Sequence, residues 1–167
     1  MMRNTPVNAQ PKFALLFVCL GNICRSPSAE AVMQRLIQKT GLSERFLCDS
    51  AGTSAAHAGE PADIRSQRAA AQRGYHVTSI SRQVTKDDLR SFDMIIAMDD
   101  ANQQALYRMA ANEQERTKIF RFVDFCQSTH PGEVPDPYYG GAKGFEEVLD
   151  ILEDGCNGIL AHAKLHR

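Results

Sequence analysis

At 167 residues, with 43% hydrophobic and 23% charged side chains, the sequence has the makeup of an ordinary globular chain that can bury a core without disulfide staples. A formal net charge of −1 and a pI near 6.5 exclude a bulk electrostatic pull toward nucleic acid or an acidic membrane surface, so any anion binding has to be local. The five cysteines form no secreted-domain pattern, no apolar run reaches membrane-span length, and residues 1–12 lack the apolar core of a signal peptide; the expectation is a cytoplasmic protein without membrane insertion, monomeric, with no cofactor and no metal.

In chain order, residues 1–12 read as a flexible extension and residues 13–167 as a single domain. The apolar run 13–18 predicts a strand. Ser26 suits an N-cap and Pro27 a first helical position, which starts a helix over 27–40, with Ala29, Val32, Met33, Leu36 and Ile37 on one face and Gly41 after it. Further strands are predicted over 46–51, 93–98 and 118–122. Between them, one helix ends at Gly74 and another starts after Thr85, with Asp88 completing a capping pattern. The last helix carries Phe145, Val148, Leu149, Leu152, Cys156, Ile159, Leu160 and Ala163 at helical spacing, although Gly155 and Gly158 count against it by about 1 kcal/mol each. This alternation predicts an α/β fold: an open, twisted parallel four-stranded sheet with helices on both faces, binding ligands at the carboxyl ends of its strands.

The segment Cys19-Leu20-Gly21-Asn22-Ile23-Cys24-Arg25 falls at such an end, between the first strand and the first helix. A helix N-terminus presents unpaired N–H groups and the positive end of the peptide dipoles, so a loop there can wrap amides around a tetrahedral dianion. The same field, with Arg25 beside it, favours a thiolate at Cys19, the candidate nucleophile. Arg25 offers planar paired donors that match two phosphoryl oxygens. Gly21 lets the backbone turn, Asn22 tolerates a left-handed conformation and can brace the loop, and Ser26 can donate a hydroxyl to the sulfur. With five cysteines and thirteen arginines, chance alone supplies roughly 0.4 such spacings, so the weight rests on strand, turn and helix start agreeing around it. Expulsion of an alcohol from phosphorus also needs a proton donor. Asp136, stiffened by Pro135 and Pro137, is the candidate, and Tyr138 and Tyr139 follow as possible flanks for an aromatic ring.

Residues 18–30 together with Asp136-Pro137-Tyr138-Tyr139 resemble the low-molecular-weight protein tyrosine phosphatases, and the resemblance runs through Asp49 to Ser54, Arg82 to Thr85 and Ala97 to Asp99. It implies metal-free, two-step hydrolysis of phosphotyrosine-containing proteins. Cys19 attacks phosphorus, Asp136 protonates the leaving phenolate and then serves as base for the incoming water. Amides from Leu20 through Gly21, Asn22, Ile23 and Cys24 to Arg25 hold the phosphate, Asn22, Ser26 and Ser50 brace the loop, and Cys24 is a reversible redox partner of Cys19. Two positions depart from the pattern. Ala56 stands where relatives often carry a large aromatic wall residue, and Ser79 where many carry a histidine that touches the loop. The related arsenate reductases need a cysteine relay, whereas Cys48, Cys126 and Cys156 read as structural. Arginine phosphatases typically carry threonine where this chain has Ile23. His162 and His166 read as solvated, and Arg65, Arg68 and Arg73 as a solvated helix face. No dinucleotide or nucleoside triphosphate motif occurs.

Overall fold

The structure, a computed structural model, describes residues 10–166; residues 1–9 of the expected extension lie outside it. Strands β1 (Phe13–Cys19), β2 (Phe46–Gly52), β3 (Met94–Ala97) and β4 (Ile119–Arg121) form one all-parallel sheet in the order β2-β1-β3-β4. In β1, the side chains alternate between two buried faces, which is why the strand is apolar throughout. Leu15, Phe17 and Cys19 join the core under α1 (Arg25–Lys39), α2 (Ile64–Gln72) and α6 (Ala142–Leu165), while Leu16 and Val18 join the one under α3 (Lys86–Ser91) and α4 (Asp100–Met109). A short helix α5 (Glu113–Arg116) and a 3₁₀ turn (Phe122–Phe125) flank β4. The four expected strands and helices on both faces are therefore present. Among the described residues, no helix is long and apolar enough to cross a membrane.

Several expectations are corrected by tertiary partners. Helix α1 starts at Arg25 with Cys24 in the N-cap position, so Ser26 is not the cap and Pro27 is the third helical residue. Proline costs nothing there because first-turn N–H groups have no intrahelical acceptor. Helix α6 runs unbroken through both glycines. A Cβ at Gly155 would drive into the Phe122 ring and one at Gly158 into the Phe125 carbonyl, so close packing against the 3₁₀ turn outweighs their poor propensity. Of the three arginines read as a solvated face, Arg65 and Arg68 are exposed and Arg73 is half-buried. Arg73 binds Glu146 at 2.6 Å, Asp150 at 2.9 Å and Glu153, tying α2 to α6, and Arg65 pairs with Asp63 at 2.9 Å and lies over the Tyr138 and Phe145 rings. His162 is half-buried, its ring edge-on to Phe120 and Phe125, instead of solvated. Helices α4 and α5, which the sequence reading did not name, are capped by Asp99 and Asn112.

Asp154 of α6 fastens the following turn, accepting the N–H groups of Gln127, Ser128 and Thr129 and the Thr129 hydroxyl. Its carboxyl is pulled down to about 2: burial opposes the charge, and these four donors overcome it. A lowered native value contributes stability above the ordinary 3.8 and loses it as pH falls through about 2. Replacement of Asp154 by alanine is expected to cost about 1 kcal/mol, or roughly 2–4 °C in Tm, at neutral pH. In thermal melts against pH, the gap between the two proteins should narrow between 3.8 and about 2.

Candidate active site

Cys19 is the last residue of β1, and the register of the sheet fixes what lies behind the loop that follows, because Cys19 pairs with Gly52 of β2. A Cβ on Gly52 would come within 2.7 Å of the Leu20 carbonyl, so glycine is required for the loop to close down on the sheet. Four carbonyls of the loop are engaged by donors from neighbouring segments. Cys19 O accepts from Thr53 N at 2.9 Å, Leu20 O from Ser54 N at 2.9 Å, Gly21 O from the Ser81 hydroxyl at 2.9 Å, and Ile23 O from Asp63 N at 2.8 Å. Asn22 N donates to the Cys19 sulfur at 3.3 Å, and among the described residues no acceptor meets the N–H groups of Gly21, Ile23 and Cys24.

Asn22 makes this turn with φ at 56°, and its side chain accounts for the strain. Its Nδ2 donates to Ser26 Oγ at 2.8 Å and Ser50 Oγ at 3.0 Å, and its Oδ1 accepts from Arg82 N at 3.0 Å, so all three polar positions of the amide are filled. Ser26 Oγ lies 3.0 Å from the Cys19 sulfur, which explains why it is unavailable as a helix cap. Ser50 donates in turn to Glu30 Oε1 at 2.7 Å.

Arg25 is buried beside the sulfur. Its Nη1 donates to Asp99 at 2.7 Å and to the Val134 carbonyl at 3.2 Å, and its Nη2 lies 3.6 Å from Asp136. Burial works against the guanidinium charge, but Cys19, Asp99 and Asp136 outweigh it and push its pKa up. Asp136 is 40% exposed in its side chain and accepts the Tyr138 N–H at 3.1 Å. Burial pushes the Cys24 thiol up to about 12, so the second sulfur of the loop is held neutral.

These groups line one cleft with a cavity volume of about 210 Å³. Cys19, Arg25 and Asp136 meet there, joined by Leu20, Gly21, Ile23 and Cys24 of the loop and by Tyr138 and Tyr139. Asn22 and Ser26 lie buried beneath the loop with Ser50, in bracing positions, and their side chains do not line the cleft. Ala56 lines the cleft as expected without an aromatic wall, and the adjacent His57 fills part of the gap. Its ring lies against Gly21 and 6.3 Å from Tyr138, with Nδ1 held 2.8 Å from Glu60. Ser81 supports the loop through its hydroxyl and Arg82 through its backbone N–H. Sequence reasoning missed Asp99, His57, Glu30 and Ser81. Only Asp99 left a signal, since it ends a strand and caps a helix at the same edge of the sheet.

A thiol at the carboxyl end of a central strand, with unpaired amides and a held guanidinium around it, is an arrangement whose chemistry suits a tetrahedral oxyanion. Residues 14–167 match the model of the low molecular weight phosphotyrosine protein phosphatase family, and the chain belongs to that family of hydrolases. A low molecular weight protein-tyrosine-phosphatase of Bacillus subtilis is 42% identical over 149 residues, 89% of this chain and 94% of that one. Among solved structures, a protein tyrosine phosphatase of Entamoeba histolytica superposes with a TM-score of 0.91 at 51% identity, over 93% of this chain and 99% of that one. An arginine phosphatase of Drosophila superposes with a TM-score of 0.83 at 31% identity, over 90% of this chain and 97% of the other.

Asp99→Asn keeps a good helix cap while removing the charge that holds Arg25. Binding of inorganic phosphate, followed by calorimetry, is expected to weaken about tenfold, or about 1.4 kcal/mol.

Proposed function

We propose that the protein hydrolyses phosphotyrosine in protein substrates, and small aryl phosphates, through a cysteinyl-phosphate intermediate. The observation that carries this reading is the setting of one sulfur: Cys19 lines the cleft with Arg25 and Asp136, accepts the Asn22 N–H at 3.3 Å and lies 3.0 Å from the Ser26 hydroxyl, while burial holds Cys24 as a thiol. The sulfur attacks phosphorus as the bond to the phenolic oxygen breaks. Arg25 and the loop amides take up the charge on the equatorial oxygens, and Asp136 gives its proton to the departing phenolate. In the second step Asp136 accepts a proton from water, whose oxygen attacks phosphorus and releases Cys19 and phosphate.

The cleft favours an aryl ester. Tyr138 and His57 line it with their rings in tilted contact at 6.3 Å, and Ile23 puts an apolar branched side chain where threonine typifies the arginine-directed relatives. An arsenate-reducing relay is disfavoured, because Cys48 and Cys156 point their thiols at carbonyls of α1, away from the cleft. Cys24, a free thiol in the same loop, is positioned to form a disulfide with Cys19 when a peroxide withdraws two electrons, and five unpaired thiols suit a reducing cytoplasm.

In Cys19→Ser, turnover of an aryl phosphate without added metal is expected to fall by on the order of 10⁴-fold. Retained turnover would refute the mechanism. In Asp136→Asn, kcat should fall by roughly 10²–10³-fold for phenyl phosphate and far less for p-nitrophenyl phosphate, whose leaving group needs no proton. Equal losses on both would remove Asp136 from its role. Phosphotyrosine peptides should be cleaved in preference to phosphoarginine peptides, and the reverse order would assign the protein to the other substrate class.

A further inference from the structure

We propose that Glu30 is a positioning residue for Cys19, acting through Ser50 and Asn22, and that its carboxylate form is the one that holds the nucleophile loop in its reactive arrangement. This rests on the reading of Cys19 as nucleophile and extends it to a residue that does not line the cleft.

Both N–H groups of the Asn22 amide are spent, one on Ser26 and one on Ser50, and its oxygen is spent on Arg82 N. Flipping the amide would set its oxygen against the two hydroxyls and its NH₂ against the Arg82 N–H, so the orientation is fixed. Each serine already accepts from Asn22 and has one hydrogen left to place. Ser50 gives its hydrogen to Glu30 Oε1 at 2.7 Å, while the Ser26 hydroxyl lies 3.0 Å from the Cys19 sulfur and 3.4 Å from the Ala51 carbonyl. The chain of contacts thus runs from Asn22 outward in two directions, to the sulfur at one end and to Glu30 at the other. A carboxylate at the far end makes the Ser50 bond charge-assisted and pins Asn22 at its left-handed turn, whereas a neutral acid accepts more weakly and leaves Asn22 looser.

Glu30 is buried on α1, and its surroundings place this change within the neutral range. Facing it are Ser50 and Asp49 on β2, Arg82 on the segment before α3, Gln34 on its own helix through a 3.2 Å bond to Oε2, and Cys48, whose thiol donates to the Glu30 carbonyl at 3.6 Å. Arg82 is shared between Asp49 at 3.0 Å and Asp88 at 2.9 Å, so it offsets little of the charge on Glu30. Burial first, and then Asp49, push Glu30 up to about 7, against the Ser50 bond and Arg82, which pull it down. Acid and carboxylate are therefore both populated near neutrality.

Alkylation of Cys19 by iodoacetamide, located by fragment-ion mass spectrometry, reads the nucleophile without requiring any phosphate ester. Glu30→Gln offers an uncharged acceptor at every pH and mimics the acid form. Relative to the parent protein, Glu30→Gln is expected to be alkylated about three- to tenfold more slowly at pH 8, with the difference vanishing toward pH 6, and kcat/KM should follow the same profile. Ser50→Ala cuts the link without touching Glu30 and should give the same flattened profile, which keeps the test available if the glutamine variant folds poorly. Profiles that match the parent in both variants, or alkylation faster in Glu30→Gln than in the parent, would overturn the proposal. The first would mean that Glu30 does not reach the loop, and the second that its charge acts by repulsion. A shifted alkylation profile in a protein that cleaves no phosphotyrosine would instead refute the substrate reading and leave this one standing.

Discussion

The direction of the carbonyl oxygens between Cys19 and Ile23 governs everything at the mouth of the cleft. A loop that bends around an anion has to face the anion with amides, and each amide turned inward sends a carbonyl outward that needs its own donor. Here the donors are supplied by the segment after β2, by Asp63 at the start of α2, and by Ser81. The parallel pairing of Cys19 with Gly52 sets the segment after β2 in register with the loop, so the sheet itself dictates the cradle. Gly52 is the point of closest approach, and its missing side chain is what allows the loop to lie against the sheet.

Charge completes what the backbone begins. Arg25 enters the cleft as the first residue of α1, close to the positive end of that helix, and is kept from drifting by Asp99 and the Val134 carbonyl. A buried guanidinium held by a carboxylate on one nitrogen presents its remaining donors in a fixed plane. Asp136, more exposed than the guanidinium it lies beside, stands 3.6 Å from it. The two sulfurs of the loop differ in surroundings: Cys19 accepts the Asn22 N–H and lies beside the Ser26 hydroxyl, whereas Cys24 is desolvated with acidic groups nearby. That difference is what the proposed mechanism uses to tell the nucleophile from its neighbour.

What was legible in the sequence follows the range of the interactions concerned. Strand β1 is apolar on both faces because it is central, and its alternation with helices disclosed the sheet. The segment from Cys19 to Arg25 and the Asp136 turn were legible because their chemistry sits in consecutive residues. Ser26 was misread because local capping rules see a serine before a proline, while the real partners of that hydroxyl are Cys19 and Asn22 across the turn. Arg73 looked solvated since nothing near it in sequence answers its charge; its three carboxylates come from a helix some seventy residues later. Gly155 and Gly158 argued against α6 until the Phe122 ring and the Phe125 carbonyl supplied a reason for their small size. Asp99 and Glu30 fall within stretches that resemble the family, yet neither showed its role in the sequence, because each acts through a contact that the fold creates.

The central claim is that phosphorus passes through the sulfur of Cys19. Rapid quenching of the Asp136→Asn variant with a labelled aryl phosphate, followed by peptide mapping under conditions that preserve a sulfur–phosphorus bond, tests it most directly. The account predicts one phosphoryl group per chain, attached to Cys19 and formed in step with release of the phenol. Phenol released with no label on the protein, or label found on any other residue, would contradict it.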